Sequence, residues 1–161
     1  ETAAGEYPIE SVEMMNRIIL EAEGDEAYQA STTSKQNVVE PTVSDAITLA
    51  ARQVAETVNA NCIVTYTTSG STTLRAARER PTVPILCVTS SLSTARRMAI
   101  AWGIHSVHID QEERFSTVVK RAVDIAETQG FASSGDHIVI TAGVPMGKSG
   151  STNVLRIERI P

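Results

Sequence analysis

Apolar positions in this chain recur first at helical spacing and then in short solid runs. In "YPIESVEMMNRIILEAE", Ile9, Val12, Met15, Ile19 and Ala22 recur at the period of one helix face. Pro8 suits the first turn, where its missing N–H is no loss, and Gly24 marks the end. From Asp25 to Pro41 the stretch "DEAYQASTTSKQNVVEP" has no apolar period and is rich in Ser, Thr, Gln and Asn, so it reads as a linker.

Beyond the linker, helical and strand patterns alternate. "PTVSDAITLAARQVAETVNA" predicts a helix with Val43, Ile47, Ala50, Val54 and Val58 on one face, and "CIVTY" a short buried strand. A short helix in "STTLRAARERP", stopped by Pro81, leads to a second strand, "PILCVTS". "LSTARRMAIAWG" is helical, "SVHI" is a third strand, and "EERFSTVVKRAVDIAETQG" is a long helix closed at Gly130. "HIVIT" and "TNVLRIERI" are the last two strands. Such alternation predicts an α/β fold, a three-layer α/β/α arrangement around a five-stranded, mostly parallel sheet. No helix separates the last two strands, so a parallel crossover has no material and the fifth strand is expected antiparallel to the fourth.

Composition narrows the function classes. The chain has 161 residues, enough to bury a core without staples, and is 42% hydrophobic, 20% charged and 4% aromatic. Few aromatics argue against stacking platforms for single-stranded nucleic acid. A net charge of −5 argues against a nucleic-acid or membrane-surface binder, so neither is expected as a partner. No apolar run has the length of a membrane span and no signal peptide opens the sequence, so a cytoplasmic location is expected. Cys62 and Cys87 sit in apolar strand-like runs and read as buried free thiols.

Two loops carry candidate chemistry. The first strand runs through Thr67, Thr68, Ser69, Gly70, Ser71 and Thr72 directly into a helix. Hydroxyls and backbone N–H groups at a helix N-terminus suit a phosphate, although Ser71 or Thr72 capping the helix while Gly70 makes the turn accounts for the same residues. The second loop, Gly143 to Thr152, contains Gly147, Lys148, Ser149, Gly150 and Ser151. Its Gly-Lys-Ser resembles the end of a P-loop, but Ala142 stands where the first Gly is needed, and a strand rather than a helix follows. If the first and fourth strands are neighbours, both loops face one crevice beyond the strand ends, where open α/β sheets bind ligands. Lys148 then offers a mobile cation, though a solvated hairpin tip explains it too.

The remaining polar residues carry less. His105, His108 and His137 lack metal-like spacing, and no metal site is expected. Asp110, Glu112 and Glu113 read as a helix entry. Arg75, Arg78 and Arg80 steer an anion or form a solvated helix face. No Ser-His-Asp, Cys-His or two-carboxylate arrangement can be argued from spacing.

Three stretches resemble one family. "ETAAGEYPIESVEMMNRIILEAE" is similar to the segment of pyruvate kinase after its last barrel strand, with the pattern S-G-E-T-A…Y-P-x-E-x-V. "AITLAARQVAETVNANCIVTYTTSGSTTLRAARERPTVPILCVT" is similar to the start of that enzyme's C-terminal domain. "TAGVPMGKSGSTNVLRI" resembles the T-A-G-V-P-x-G-x-x-G-T-T-N-x-L-R-V ending of bacterial pyruvate kinases.

The resemblance implies that residues 1–23 are the last loop and helix of a (β/α)₈ barrel, 24–41 a linker and 42–161 a C-terminal regulatory domain. Only Glu1 and Thr2 would belong to the rim of the active site. In the family, phosphoenolpyruvate, nucleotide, Mg²⁺ and K⁺ bind in the barrel, whose general lysine, metal-binding acids and phosphate-binding arginine have no counterparts here. This chain alone is therefore expected to be inactive and to hold no cofactor. The family's C-terminal domain carries an allosteric effector site and part of a tetramer interface. By matching positions, Thr67–Thr72 become the phosphate loop and Gly143–Thr152 the mobile effector loop. Arg156, Ile157 and Glu158, on a strand expected at the sheet edge, become candidates for subunit contact. The helix around Phe115 to Lys120 lacks the Trp and Arg that grip a second phosphate in eukaryotic members. That favours a monophosphate effector such as AMP, glucose 6-phosphate or ribose 5-phosphate over fructose 1,6-bisphosphate. The alternative is a free-standing phosphosugar- or nucleotide-binding module unrelated to catalysis.

Overall fold

The structure, a computed structural model, describes residues 1–25, 27, 28, 40–112, 114–148 and 150–161. Most of the expected linker 24–41, together with Glu113 and Ser149, lies outside the described residues. The chain divides into two compact units, Glu1–Gln36 and Asn37–Pro161.

The first unit contains helix α1, Pro8–Gly24, with Pro8 at its start. None of its residues is buried, and Ile9 and Ile18 are 70% and 61% exposed. Its apolar surface is broader than the stripe of Ile9, Val12, Met15, Ile19 and Ala22, because Met14, Ile18 and Leu20 are also exposed.

The second unit has helices α2 (Val43–Thr57), α3 (Ser71–Arg78), α4 (Leu92–Met98) and α5 (Phe115–Thr128) and strands β1 (Cys62–Tyr66), β2 (Ile85–Thr89), β3 (Ile104–His108), β4 (His137–Gly143) and β5 (Thr152–Arg159). The sheet order is β3-β2-β1-β4-β5. β1 runs parallel to both β2 and β4, β2 runs parallel to β3, and β5 is antiparallel to β4. Every residue of β1 and β2 is buried, as strands covered on both faces require, which is why they read as solid apolar runs. β3, at one edge, leaves His105 and His108 exposed.

One core cluster lies between the sheet and α5, with Val64, Leu86, Ile138 and Ile140 against Val118, Ala122 and Ala126. A second joins Ala51 and Ala55 of α2 to Ile63 and Val139. The predicted face of α2 is only partly the buried one. Ser44, Asp45, Thr48, Ala51 and Ala55 are buried, whereas Val43 is 65% exposed and Val54 and Val58 are half-buried. Small alanines let the helix approach the sheet closely, and the turn that buries them also carries Asp45 inward to two arginines of α3.

The chain goes from β1 to β2 and β3, then returns to place β4 on the other side of β1. Strand order reverses there, and the loops after β1 and β4 leave the same end of adjacent strands.

Candidate functional site

The loop after β1 is built on its first threonine. The Thr67 N–H bonds to the Val88 carbonyl at 3.0 Å, and its hydroxyl accepts from the Gly70 N–H at 3.0 Å. Gly70 is the residue before α3, with φ +86°, and a Cβ there would stand 3.0 Å from Sδ and Cε of Met98. Helix α3 has no side-chain cap, so neither Ser71 nor Thr72 takes the capping role. Ser69 Oγ instead donates to Ser71 Oγ at 3.2 Å. From α4, Thr94 Oγ1 donates to the Thr68 carbonyl at 2.9 Å and Arg97 donates to the Ser69 carbonyl.

The hairpin between β4 and β5 is braced at its base and its tip. Asn153 donates to the Val144 carbonyl at 2.7 Å and accepts from the Val144 N–H at 2.8 Å. Ser151 Oγ donates to the Lys148 carbonyl at 2.7 Å. The register shifts at Ala142/Gly143, and a Cβ on Gly143 would stand 2.5 Å from Ser151 Oγ, so the bulged strand needs glycine there.

The two loops meet. Tyr66, Thr67, Thr68, Ser69 and Thr72 on one side, and Gly143, Met146, Gly147, Lys148, Gly150, Ser151 and Thr152 on the other, line one cleft. No carboxylate is among these lining residues. Thr72 and Thr152 join across it, hydroxyl to hydroxyl, at 2.5 Å. The cleft is open to solvent and holds about 310 Å³ of empty space, its mouth included.

The arginines after the first loop are already engaged. Asp45, fully buried, pairs with Arg75 and, at 3.0 Å, with Arg78, and accepts from the Glu40 N–H at 2.8 Å. Burial pushes its carboxyl up, but the hydrogen bonds from Arg75, Arg78 and the Glu40 N–H outweigh it and hold the carboxyl below its ordinary 3.8. Arg80 stacks over the Trp102 ring, 4.4 Å from its centroid. Sequence reasoning passed over Ser44, Asp45 and Arg97; an acid in the first turn of a helix reads as a dipole partner, and nothing local points it at arginines 30 residues on.

Other candidates lie apart from the cleft. Arg156 and Glu158 pair with each other along β5, Nε to Oε1 at 2.5 Å, and Ile157 is 44% exposed. Glu1 and Thr2 are in the first unit, where the Glu1 carboxylate accepts from the Tyr7 N–H at 3.3 Å. His105 bonds Gln129 at 3.2 Å and packs on Phe131. Cys62 and Cys87 are buried free thiols, and burial pushes Cys62 up to about 12, which keeps it protonated. Among the described residues no group of three His, Cys, Asp or Glu is placed to hold a metal, and no helix is long and apolar enough to cross a membrane.

Residues 45–158 match the model of the family described as pyruvate kinase, alpha/beta domain. The chain is 40% identical over 157 residues to a pyruvate kinase of Methylorubrum extorquens, covering 98% of this chain and 33% of that protein. It is 36% identical over 160 residues to a pyruvate kinase of Geobacillus stearothermophilus, covering 99% of this chain and 27% of that one. The crystal structure of a pyruvate kinase from Cryptosporidium parvum superposes with a TM-score of 0.85 at 28% identity, over 100% of this chain and 32% of that chain. This chain thus spans about a third or less of the length of these relatives. The five-stranded sheet with its single antiparallel strand and the family match over most of the chain lead to one conclusion: the chain belongs to the pyruvate kinase family and carries its α/β domain.

Proposed function

We propose that residues 42–161 form an allosteric and oligomerisation domain whose cleft between Thr67–Thr72 and Gly143–Thr152 receives the phosphate of a small-molecule effector. One observation carries this reading. At the sheet's switch point, the uncapped N-terminus of α3, a set of hydroxyls and the Lys148 loop converge on a cleft with no carboxylate among its described lining residues. Helix N-terminal N–H groups and a lysine favour an anion there, and a single cleft of this size suits one phosphate group better than two. The favoured ligands are AMP, glucose 6-phosphate and ribose 5-phosphate, ahead of fructose 1,6-bisphosphate.

In this reading the whole enzyme transfers a phosphoryl group from phosphoenolpyruvate to ADP in cytoplasmic glycolysis, as a homotetramer. Residues 1–23 then belong to its catalytic barrel and 24–41 to the linker. Mg²⁺ and K⁺ would serve the phosphoryl transfer, and the described residues of this chain contain no cluster that fits either ion. In this reading the chain by itself is non-catalytic, because the groups that position the phosphoryl transfer belong to the barrel. The broad apolar surface of α1 supports the assignment of residues 1–23, since a helix with no buried residue of its own calls for a covering surface.

The test is calorimetric titration of the chain with the four ligands, in wild type and Ser69→Asp. Binding of one of them, abolished by the like charge at Ser69, supports the site. Equal binding to both proteins moves the site elsewhere. Lys148→Ala should cost about 1 kcal/mol of binding, the scale of a partly exposed cation.

A further inference from the structure

β3 ends the sheet on the side away from β5, and no described strand pairs with its outer side. Its bonds to β2 are fixed at both ends. The Gly103 carbonyl accepts from the Ile85 N–H at 2.8 Å, and the Ile109 N–H donates to the Thr89 carbonyl at 3.0 Å. Backbone groups of successive residues alternate sides, so His105 and Val107 also face β2. Ile104, Ser106 and His108 therefore turn their N–H and C=O groups outward. The register to β2 runs without a bulge, and β3 contains neither proline nor lysine. Three devices that blunt a sheet edge are thus missing here.

A groove lies beside this edge. Leu92, Ala95, Arg96 and Ala99, on and just past α4, line it together with the outward residues of β3, around about 790 Å³ of empty space, its mouth included. Its walls are apolar at Leu92, Ala95, Ala99 and Ile104, and exposed Arg96 and His108 bring N–H donors. No carboxylate is among the described lining residues, in a chain whose net charge is −5. Arg97 is engaged by the Ser69 carbonyl. Among the described residues, no hydrogen bond or ion pair engages the side chain of Arg96 or of His108.

We propose that the β3 edge and its groove dock an extended acidic segment of a partner protein, which adds a further strand to the sheet. The segment's backbone pairs with the outward groups of Ile104, Ser106 and His108. On the α4 side, an apolar side chain rests on Leu92, Ala95 and Ala99, and a carboxylate meets Arg96 and His108. Main-chain pairing supplies affinity, and the groove selects the sequence. Charge argues against a second copy of this chain as the occupant. Pairing two β3 edges would gather Arg96 and His108 of both copies along one seam with no carboxylate to offset them. The surface is separate from the phosphate cleft and from β5, so it stands independently of the function proposed above.

The probe is a short blocked peptide in which Glu and Val alternate on one face and Thr fills the other. It is titrated into the full chain at low salt and followed by fluorescence anisotropy. Arg96→Glu should weaken binding about fivefold or more, the scale of one exposed ion pair made repulsive. A lysine-for-glutamate counterpart should not bind. A fully N-methylated counterpart removes the peptide's donors, leaves the protein untouched, and should not bind either. Residue-resolved amide exchange locates the site. Ile104, Ser106 and His108 should exchange fast in the free chain and slowly with the peptide. Val107, bonded to β2, should stay protected throughout, which also shows that Arg96→Glu is folded. Absence of binding by the acidic peptide overturns the proposal, as does equal binding to Arg96→Glu or protection on β5 instead of β3. Protection of the same amides that grows with chain concentration, without peptide, gives the edge to a second copy and overturns it too.

Discussion

Thr72 and Thr152, 80 residues apart in sequence, share a buried hydrogen bond of 2.5 Å between their hydroxyls, which ties the two cleft-forming loops directly. Each is the other's partner in a place from which water is almost excluded, at 4% and 3% exposure. Thr72→Val or Thr152→Val alone strands the remaining hydroxyl and should cost about 1–3 kcal/mol. The double substitution should cost no more than either single one, because it strands nothing. Urea unfolding midpoints at constant slope measure the coupling; strictly additive losses would show that the two hydroxyls do not depend on each other.

The ion pairs at Asp45 make the domain acid-sensitive. Its folded carboxyl lies below its ordinary value, so its contribution to stability is fully present above about pH 4. As the pH falls through the lower folded value, the contribution is lost. Asp45→Asn should therefore destabilise the domain at neutral pH and flatten the acid side of its stability curve. The loss should be about 3 kcal/mol, the lower end for breaking a buried pair, because Arg75 and Arg78 keep 29% and 32% side-chain exposure and remain hydrated. Thermal melts from pH 7 down to pH 3 test both parts.

Gly70 holds the left-handed backbone that starts α3. Gly70→Ala should cost about 1–2 kcal/mol for that backbone alone, with a little more as the Met98 side chain gives way. The companion Met98→Leu should not rescue it, since most of the cost is in φ. Denaturation of the two single variants and the double variant reads this directly.

β5 lies at the edge of the sheet, and an edge invites pairing with a second copy. Arg156 and Glu158 sit on one face and pair within the strand, an exposed arrangement worth little to a monomer. Antiparallel pairing about a twofold axis near Ile157 would set each Arg opposite the other chain's Glu. Arg156→Glu should weaken self-association, and the added Glu158→Arg should restore it in part. Sedimentation velocity across concentration checks the sequence of effects; a wild-type chain that stays monomeric throughout removes the idea.

The alternation of elements, the reversal of the last strand and the chemistry of both loops are legible in the residues. "CIVTY" and "PILCVTS" are solid apolar runs because both faces of those strands are covered, and no helix-length stretch stands between "HIVIT" and "TNVLRIERI" to carry a crossover. Periodicity reports such local facts because 3.6 and 2 residues per repeat are properties of the backbone itself. Adjacency is a different matter. That β1 lies beside β4, so that Thr67–Thr72 meets Gly143–Thr152, depends on which side of the sheet the chain chose after β3. The same holds for α2, where Val43, Ile47, Ala50, Val54 and Val58 mark a reasonable apolar face but the helix turns to bury Ser44 and Asp45. Their partners lie 106 and 30 residues further along, at Gly150 and Arg75. A polar residue's burial is decided by who meets it after folding, since only a partner in hand offsets its desolvation. The residues by themselves determined the elements, their order and the two chemical loops; the tertiary structure decided that the loops line one cleft and that α2 buries Ser44 and Asp45 against partners far along the chain.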